Sequence, residues 1–363
     1  MDLPFSYADF EQIIGVPTSD GILDAMREWS NVNLANARDE QAQNLARHFV
    51  MTHAKIMERP SWSGLIEFNA SLANQRALQI ARDITGKNGV ICSNLSHVSV
   101  HEACITLGMR AIVLDADPNL DYQVPERHIA NSLKKDNDIA AIVSTHGTTQ
   151  LGTIERIGSY ETVQLARKRG IWLHVDGAYG ALVTQYTSLK RKYPLPNSDS
   201  LTIDSYKIAS PGAALVLTSP ENIGKLDVPY YSHSEFMMYT TFLASSIAAW
   251  ASNLKDAGGS FCSEIEECLQ RAELTSRIVP TISSLTSVGK RKLIISSFAT
   301  KNRDDADNLR TSLFDKGIAV GNLQIQGRDY QVEGIRIVHA PRPFMDWGRL
   351  SDLYSRIKEF YKK

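Results

Sequence analysis

The sequence predicts an α/β protein, with a doubly wound, mainly parallel sheet in a large domain and a smaller α+β domain after it. The chain has 363 residues, more than one domain of about 150 residues requires. Short apolar runs alternate with helical patterns over its first two thirds, and a second strand and helix pattern begins near residue 292. With 43% hydrophobic and 22% charged residues, the composition is that of an ordinary globular protein.

Five short, mostly apolar runs are predicted as strands, at residues 89–92, 111–114, 139–143, 171–175 and 213–217. Runs of this kind are typical of parallel strands that are buried on both faces. Helical patterns lie between them, at residues 72–85, 100–107, 125–134 and 160–169. This alternation favours parallel strands joined by right-handed crossovers.

Helical patterns also predict an N-terminal arm. Ser19 and Asp20 can cap a helix over residues 22–29, and a second apolar pattern covers residues 42–49. A helix-rich connector is predicted from 237 to 285, and then strands at 292–298 and 334–339 with helices at 304–316 and 347–361. We therefore expect an arm at 1–55, a large domain at 56–255 and a small domain at 256–363.

The composition argues against several classes of partner. The net charge is −1, without the basic surplus that binding to nucleic acid normally requires. The apolar runs are too short to span a bilayer, and no basic segment precedes an apolar one at the N-terminus. The four cysteines have no Cys-x-x-Cys spacing. We expect a cytoplasmic protein with reduced thiols, without a bound metal, membrane or nucleic acid.

Three residues could carry chemistry, and two of them, Asp176 and His97, follow predicted strands. Ligands of open α/β sheets bind at the carboxyl ends of the strands. Lys207 closes the segment 199–207, and a buried lysine there could form a Schiff base, although a solvated surface lysine has the same sequence pattern. Asp176 ends an apolar run and could hold a pyridinium proton or cap a helix. His97 could stack on a ring or be an ordinary loop histidine.

Two further segments are polar turns. Residues 69–74, Asn-Ala-Ser-Leu-Ala-Asn, lie where a helix begins, a place that suits a phosphate. Residues 144–149, Ser-Thr-His-Gly-Thr-Thr, place hydroxyls beside a glycine after a strand. Each segment alone is compatible with a simple turn.

The order and spacing of these residues resemble the pyridoxal-phosphate (PLP) enzymes of fold type I, and among them the group II amino-acid decarboxylases. That family includes aromatic amino acid, histidine and archaeal tyrosine/aspartate decarboxylases. The resemblance extends over about residues 61–259, with a looser fit at 334–337. The matching motifs are Trp-Leu-His-Val-Asp-Gly-Ala-Tyr at 172–179, His-Val-Ser-Val at 97–100, Gly-Thr-Thr at 147–149, an Asp-Ser pair whose serine lies seven residues before Lys207, and Ile-Ala-Ser-Pro-Gly at 208–212.

The resemblance implies a seven-stranded sheet and roles for individual residues. Lys207 would carry PLP as a Schiff base, Asp176 would keep its pyridine nitrogen protonated, and His97 would stack on the ring. The other implied cofactor contacts are Ala70 and Ser71 at the phosphate, Ala178 behind the ring, and Thr148 and Ser205.

The resemblance also implies decarboxylation of an L-amino acid to an amine, through an external aldimine, in a homodimer with shared active sites. Three tyrosines are candidates for the proton donor, Tyr230, Tyr231 and Tyr239, and of these Tyr231 is also a candidate substrate contact. Arg336 is predicted to orient a substrate carboxylate, with a surface ion pair in the small domain as its alternative.

Two departures from the family pattern border the expected substrate site. Tyr206 stands where the family usually has a histidine before the lysine, and Ala244-Ser245-Ser246 stands where Gly-Ser-Arg is common. Retro-aldol cleavage, β-elimination and transamination therefore stay open as alternatives, as does a non-catalytic PLP-fold binding protein. The sequence does not define which amino acid is the substrate.

Overall fold

A seven-stranded sheet forms the centre of the large unit. The computed structural model describes residues 40–156, 160–207, 213–225, 260–290, 293–341 and 346–362. The strand order is β1-β7-β6-β5-β4-β2-β3, in which β2 to β6 are parallel and β7 is antiparallel to both of its neighbours. The strands are β1 Ser63–Glu67, β2 Gly89–Ser93, β3 Arg110–Leu114, β4 Ile139–Thr145, β5 Trp172–Asp176, β6 Ser200–Asp204 and β7 Ala214–Thr218. The predicted, mainly parallel sheet is confirmed.

Helices cover both faces of this sheet. Successive residues of one strand point to opposite faces, so in β2 the side chains of Val90 and Cys92 enter one apolar cluster and that of Ile91 enters another. Helices α2 (Ala70–Thr85) and α3 (Val98–Thr106) pack against the strands in the first cluster. Helices α4 (Glu126–Lys135) and α5 (Tyr160–Lys168) do so in the second. The helices of this unit are α1 Glu40–Ile56, α2 Ala70–Thr85, α3 Val98–Thr106, α4 Glu126–Lys135, α5 Tyr160–Lys168, α6 Gly180–Gln185 and α7 Pro220–Ile223. The unit is therefore doubly wound.

Helix α2 is fixed at both ends and lies directly on the sheet. The side chain of Asn69 accepts a hydrogen bond from the Leu72 N–H, and Gly86 ends the helix in the left-handed conformation. Its buried face carries small residues, Ala73, Ala77 and Ala81. Because alanine side chains are short, the helix axis can approach the strands closely. This helix contributes its N-terminal residues, Ala70 and Ser71, and the side chain of Asn74 to the site described below.

The smaller unit is a four-stranded antiparallel sheet in the order β10-β11-β9-β8. Its strands are β8 Thr286–Ser287, β9 Ile295–Ala299, β10 Gly321–Gln326 and β11 Gln331–Val338, and its helices are α8 Ser260–Ile282, α9 Arg303–Phe314 and α10 Trp347–Phe360. A separate apolar cluster that includes Phe298, Leu309 and Leu353 joins these helices to the sheet. The predicted α+β character of this part is confirmed, whereas the exact domain limits stay a prediction.

Hydrogen bonds join the two units beside the loops that follow β2 and β3. The Asn94 amide donates to the hydroxyl of Tyr330 at 3.1 Å and to the carbonyl of Gln326 at 2.9 Å. The Tyr330 hydroxyl donates to the carbonyl of Ala116 at 2.6 Å. The hairpin between β10 and β11 is thereby attached to the loop that leads to His97.

Four strands were not predicted, namely β1, β6, β8 and β10. The first of them ends in Glu67, a carboxylate that is buried because Arg76 pairs with it at 3.1 Å. A buried polar residue breaks the apolar pattern on which the sequence prediction depends. The helix predicted at 22–29 and most of the connector lie outside the described residues. Among the residues described, no helix is long and apolar enough to cross a membrane.

Candidate cofactor site

The carboxyl ends of three parallel strands bring polar residues to one edge of the large sheet. Thr145, the last residue of β4, pairs in register with Asp176, the last residue of β5. Strand β6 ends at Asp204, and a 3-10 turn, Ser205–Lys207, follows it directly. The predicted residues Asp176 and Lys207 therefore lie at the same edge of the sheet.

The carboxylate of Asp176 is buried and held from two sides. Only 3% of the residue is exposed. Its Oδ2 accepts a hydrogen bond from the Asn74 amide at 3.0 Å, and its Oδ1 accepts one from the Ala178 N–H at 3.2 Å. These bonds compensate for burial and orient the carboxylate. Each oxygen keeps a lone pair for a further donor.

The ring of His97 is fixed at the start of α3. Its Nδ1 accepts a hydrogen bond from the Ser99 N–H at 3.2 Å, so the hydrogen of the neutral ring is on Nε2. Burial lowers the pKa of His97; the Asp176 carboxylate acts to raise it, and the cations of Lys207 and Arg336 act to lower it. The protonation of the His97 ring therefore depends on the charges of Asp176, Lys207 and Arg336.

The first turn of α2 supplies the predicted phosphate contacts, Ala70 and Ser71. The N-terminus of a helix carries partial positive charge and suits an anion. In this structure the Ala70 N–H donates to Oδ2 of Asp204 at 3.2 Å, and the Asp204 N–H donates to the carbonyl of Ala178 at 2.8 Å. Asp204 was not among the predicted site residues.

Two predicted hydroxyl contacts are engaged within turns. The Ser205 hydroxyl donates to the carbonyl of Ala213 at 2.7 Å. This hydrogen bond joins the turn that carries Lys207 to the residue just before β7. The Thr148 hydroxyl lies 2.9 Å from that of Thr153. Their contacts with a cofactor, like that of Ala178, stay predictions. Lys207 itself is exposed at the end of its turn.

Sequence reasoning missed a buried acid, Glu155, at the same edge. It accepts hydrogen bonds from the hydroxyl of Ser93 and, at 2.8 Å, from the N–H of Thr145. Burial raises the pKa of Glu155 to about 7, against the opposing effect of these hydrogen bonds. A glutamate beyond a glycine turn gives no sequence signal of burial, so only the structure identifies it.

Arg336 of β11 reaches the site from the smaller unit. Its Nη1 donates to the carbonyl of Thr149, while its buried Nε has no hydrogen-bond partner among the described residues. Gly321 of β10 makes room for it, because a Cβ there would lie 2.5 Å from Nε. The predicted tyrosines, Tyr230, Tyr231 and Tyr239, lie outside the described residues, as do residues 208–212 and 244–246.

These residues fit a flat phosphorylated pyridine. The N-terminus of α2 carries partial positive charge that suits a phosphate, the buried carboxylate of Asp176 offers an acceptor to a protonated ring nitrogen, and Lys207 offers an amine to an aldehyde. The ring of His97 is oriented at the start of α3 by the Ser99 N–H, within the charge field described above. The fold is that of the fold type I PLP enzymes, and the residues at this sheet edge are compatible with their cofactor.

Comparison with known proteins shows which family this chain resembles. Residues 69–214 match the model of the pyridoxal-dependent decarboxylase conserved domain. The matched segment contains α2, His97, Asp176 and Lys207. Over this segment the chain is similar to the pyridoxal-dependent decarboxylases, whose cofactor is PLP.

Individual relatives show the same similarity. The chain is 28% identical over 186 residues to a probable L-tyrosine/L-aspartate decarboxylase of Methanosphaerula palustris, an alignment that covers 48% of this chain and 50% of that one. It is 29% identical over 258 residues to the L-aspartate/L-glutamate decarboxylase of Pyrococcus horikoshii, covering 66% and 65%. The chain thus spans about half the length of the first of these relatives.

A solved structure confirms the fold. The glutamate decarboxylase domain of a diaminobutyrate-pyruvate transaminase and L-2,4-diaminobutyrate decarboxylase from Vibrio parahaemolyticus superposes with a TM-score of 0.78. The match covers 95% of this chain and 79% of that one at 17% sequence identity. At this identity the comparison establishes the fold alone.

Proposed function

We propose that this protein uses PLP to decarboxylate an L-amino acid to the corresponding amine. The observation that carries the proposal is the buried Asp176 carboxylate, held by Asn74 and Ala178 at the sheet edge that also bears Lys207. When bound, PLP supplies a protonated pyridine ring that accepts the electrons released as a bond at Cα breaks.

Each side chain has a defined task in this proposal. The Lys207 amine would hold the aldehyde of the cofactor. Asp176 would keep a proton on the ring nitrogen, and His97 would stack on the ring. Ala70 and Ser71 hold the phosphate at the N-terminus of α2. Ala178, Thr148 and Ser205 complete the proposed cofactor contacts.

Arg336 is proposed to bind a carboxylate of the substrate. Its guanidinium has one donor satisfied by Thr149 and a buried Nε without a partner among the described residues. An arginine can present two parallel donors to a carboxylate, which fixes the orientation of the ligand. The proton that replaces CO₂ at Cα is proposed to come from Tyr231 or a neighbouring tyrosine.

The working form is proposed to be a cytoplasmic homodimer with shared sites. Val98 and Ile105 lie seven residues apart on α3, beside His97, and are 55% and 81% exposed. Residues with this spacing share one helix face, and an exposed apolar face next to a site is typical of a protein interface. Light scattering of the wild type and of Ile105→Glu tests this proposal. A monomeric wild type would contradict it.

The reaction is tested by incubating PLP-loaded protein with a panel of L-amino acids and identifying the products by mass spectrometry. We expect an amine, equal to one substrate less CO₂. The control is Lys207→Ala, which should lose both the visible absorbance of bound PLP and turnover.

Other products would contradict decarboxylation and identify the alternative. An aldehyde together with a smaller amino acid would indicate retro-aldol cleavage, and a keto acid would indicate transamination or elimination. Bound PLP without any product over the whole panel would favour a non-catalytic binding protein.

A further inference from the structure

A buried amide, that of Asn74, lies at the centre of the site. The residue is in the second turn of α2 and is 1% exposed. Its Nδ2 lies 3.0 Å from Oδ2 of Asp176 and 3.0 Å from Oγ of Ser99, and its Oδ1 lies 3.1 Å from Nε2 of His174. One side chain therefore makes three hydrogen bonds, two to residues of β5 and one to a residue of α3.

The orientation of this amide follows from the chemistry of its neighbours. An ionised carboxylate can only accept hydrogen bonds, so the NH₂ group of Asn74 must face Asp176. Its carbonyl oxygen then faces His174 and requires a donor there. His174 Nε2 must therefore carry the ring hydrogen.

The other side of His174 agrees with this tautomer. Burial lowers the pKa of His174 to about 4, so the ring is neutral and has one hydrogen. Its Nδ1 accepts from the hydroxyl of Ser200 at 2.8 Å, whose oxygen accepts from the indole N–H of Trp172 at 2.8 Å. Each side chain in this series donates a hydrogen bond to the next, in the order Trp172, Ser200, His174, Asn74 and Asp176.

A branch of the same network reaches His97. The second hydrogen of the Asn74 amide is directed to the Ser99 hydroxyl, which lies 2.9 Å from Nδ1 of His97. The residue proposed to hold the ring nitrogen and the residue proposed to stack on the ring are thus both connected to one amide.

We propose that Asn74 is a positioning residue, which sets the Asp176 carboxylate and the His97 ring in the relative orientation that PLP binding requires. This inference rests on the proposed function, since it assigns a purpose to the site that binds PLP. In this proposal His174 helps to fix the Asn74 amide by donating a hydrogen bond to its carbonyl oxygen.

The first test is Asn74→Asp, which keeps the size of the side chain, removes the donors and adds a carboxylate next to Asp176. Gln75→Glu is the matched control, because it makes the same chemical change one residue further along α2 at a half-buried position outside the network. The readouts are the dissociation constant of PLP from dialysis, the circular dichroism of the cofactor band per bound PLP, and the melting temperature of the apoprotein.

We expect Asn74→Asp to weaken PLP binding by about tenfold or more, the effect of losing a hydrogen bond to a charged group, and to change the circular dichroism of bound PLP. Gln75→Glu should leave both readouts unchanged. If Asn74→Asp alters only the melting temperature and binds PLP as the wild type does, the proposal is overturned.

A second pair of variants keeps the test decisive if Asn74→Asp does not fold. His174→Gln retains an N–H donor towards the Asn74 carbonyl, whereas His174→Phe fills the space without a donor. We expect the PLP affinity and circular dichroism of His174→Gln to lie closer to the wild type than those of His174→Phe. Equal values for the two variants would overturn the proposal.

The results separate this inference from the proposed reaction. A wild-type protein that binds PLP but yields no amine contradicts the reaction, while the comparison of Asn74→Asp with Gln75→Glu still decides the role of Asn74. A wild-type protein that takes up no PLP overturns both.

Discussion

The N–H of Ala70 donates a hydrogen bond to the carboxylate of Asp204 at 3.2 Å. This contact joins the first turn of α2 to the end of β6, three residues before Lys207. The two ends of the proposed cofactor site, the phosphate turn and the lysine turn, are therefore tied to each other by the protein itself.

Replacing Asp204 by alanine should destabilise the apoprotein by about 1–3 kcal/mol, because the buried N–H of Ala70 loses its acceptor. Asp204→Asn keeps an acceptor oxygen at the same place, so we expect less than half of that loss. Urea unfolding of the three proteins measures the difference. Equal stabilities for the alanine and asparagine variants would show that the contact with Ala70 contributes nothing.

The buried acid Glu155 should make stability depend on pH. Burial raises its pKa from 4.5 to about 7 in the folded protein. Between these values the unfolded chain has lost the proton while the folded protein retains it, so the contribution of Glu155 to stability falls as the pH rises.

The raised pKa of Glu155 contributes on the order of 3 kcal/mol to the free energy of unfolding at low pH, and this contribution is lost between about pH 4 and pH 8. Glu155→Gln cannot titrate, and its free energy of unfolding should lack this component. We therefore expect the stability of the wild type relative to Glu155→Gln to decline over that interval. A difference that is constant with pH would contradict the raised pKa.

A methyl group at Gly180 should disrupt the start of α6. A Cβ there would lie 1.8 Å from the carbonyl oxygen of His146, so the backbone after β4 would have to move. We expect Gly180→Ala to lose about 3 kcal/mol or more of stability in urea unfolding. Gly224→Ala is the control, since its Cβ meets nothing closer than 3.6 Å and should change stability by less than about 1 kcal/mol.

Arg336→Lys should affect the substrate more than the cofactor. Lysine keeps the charge but cannot bind the Thr149 carbonyl and a carboxylate with the same planar group. We expect kcat/KM to fall about 10- to 100-fold, mainly through KM, with an unchanged PLP dissociation constant.

Arg356→Lys on the exposed surface of α10 serves as the control for that substitution and should leave the kinetics unchanged. A wild-type KM in Arg336→Lys would assign Arg336 to the contact between the two units alone.

The sequence pointed to Asp176, His97 and Lys207 as candidate site residues, because their order and spacing along the chain are visible without a fold. Asn74 could not be found in the same way, since it lies within a helix and its partner Asp176 is 102 residues away. Its burial is a consequence of tertiary packing.

Strand β6 was missed for a related reason. Ser200 breaks its apolar pattern, yet the residue is fully buried because its hydroxyl is paired with Trp172 and His174. Polar residues whose partners come from other strands give no periodic signal. Sequence patterns thus pointed to candidate residues near the ends of strands. The structure was needed to find the buried residues that hydrogen-bond within the sheet and helix beside them, such as Asn74 and Ser200.

The attachment of the β10–β11 hairpin to Asn94 has a mechanical consequence. Asn94 lies three residues before His97, and it is bonded to both Tyr330 and Gln326 of the smaller unit. A rotation of the smaller unit must either break these hydrogen bonds or move the loop between β2 and α3, which contains His97. Movement of the smaller unit relative to the larger would therefore be transmitted through Asn94 to the position of His97.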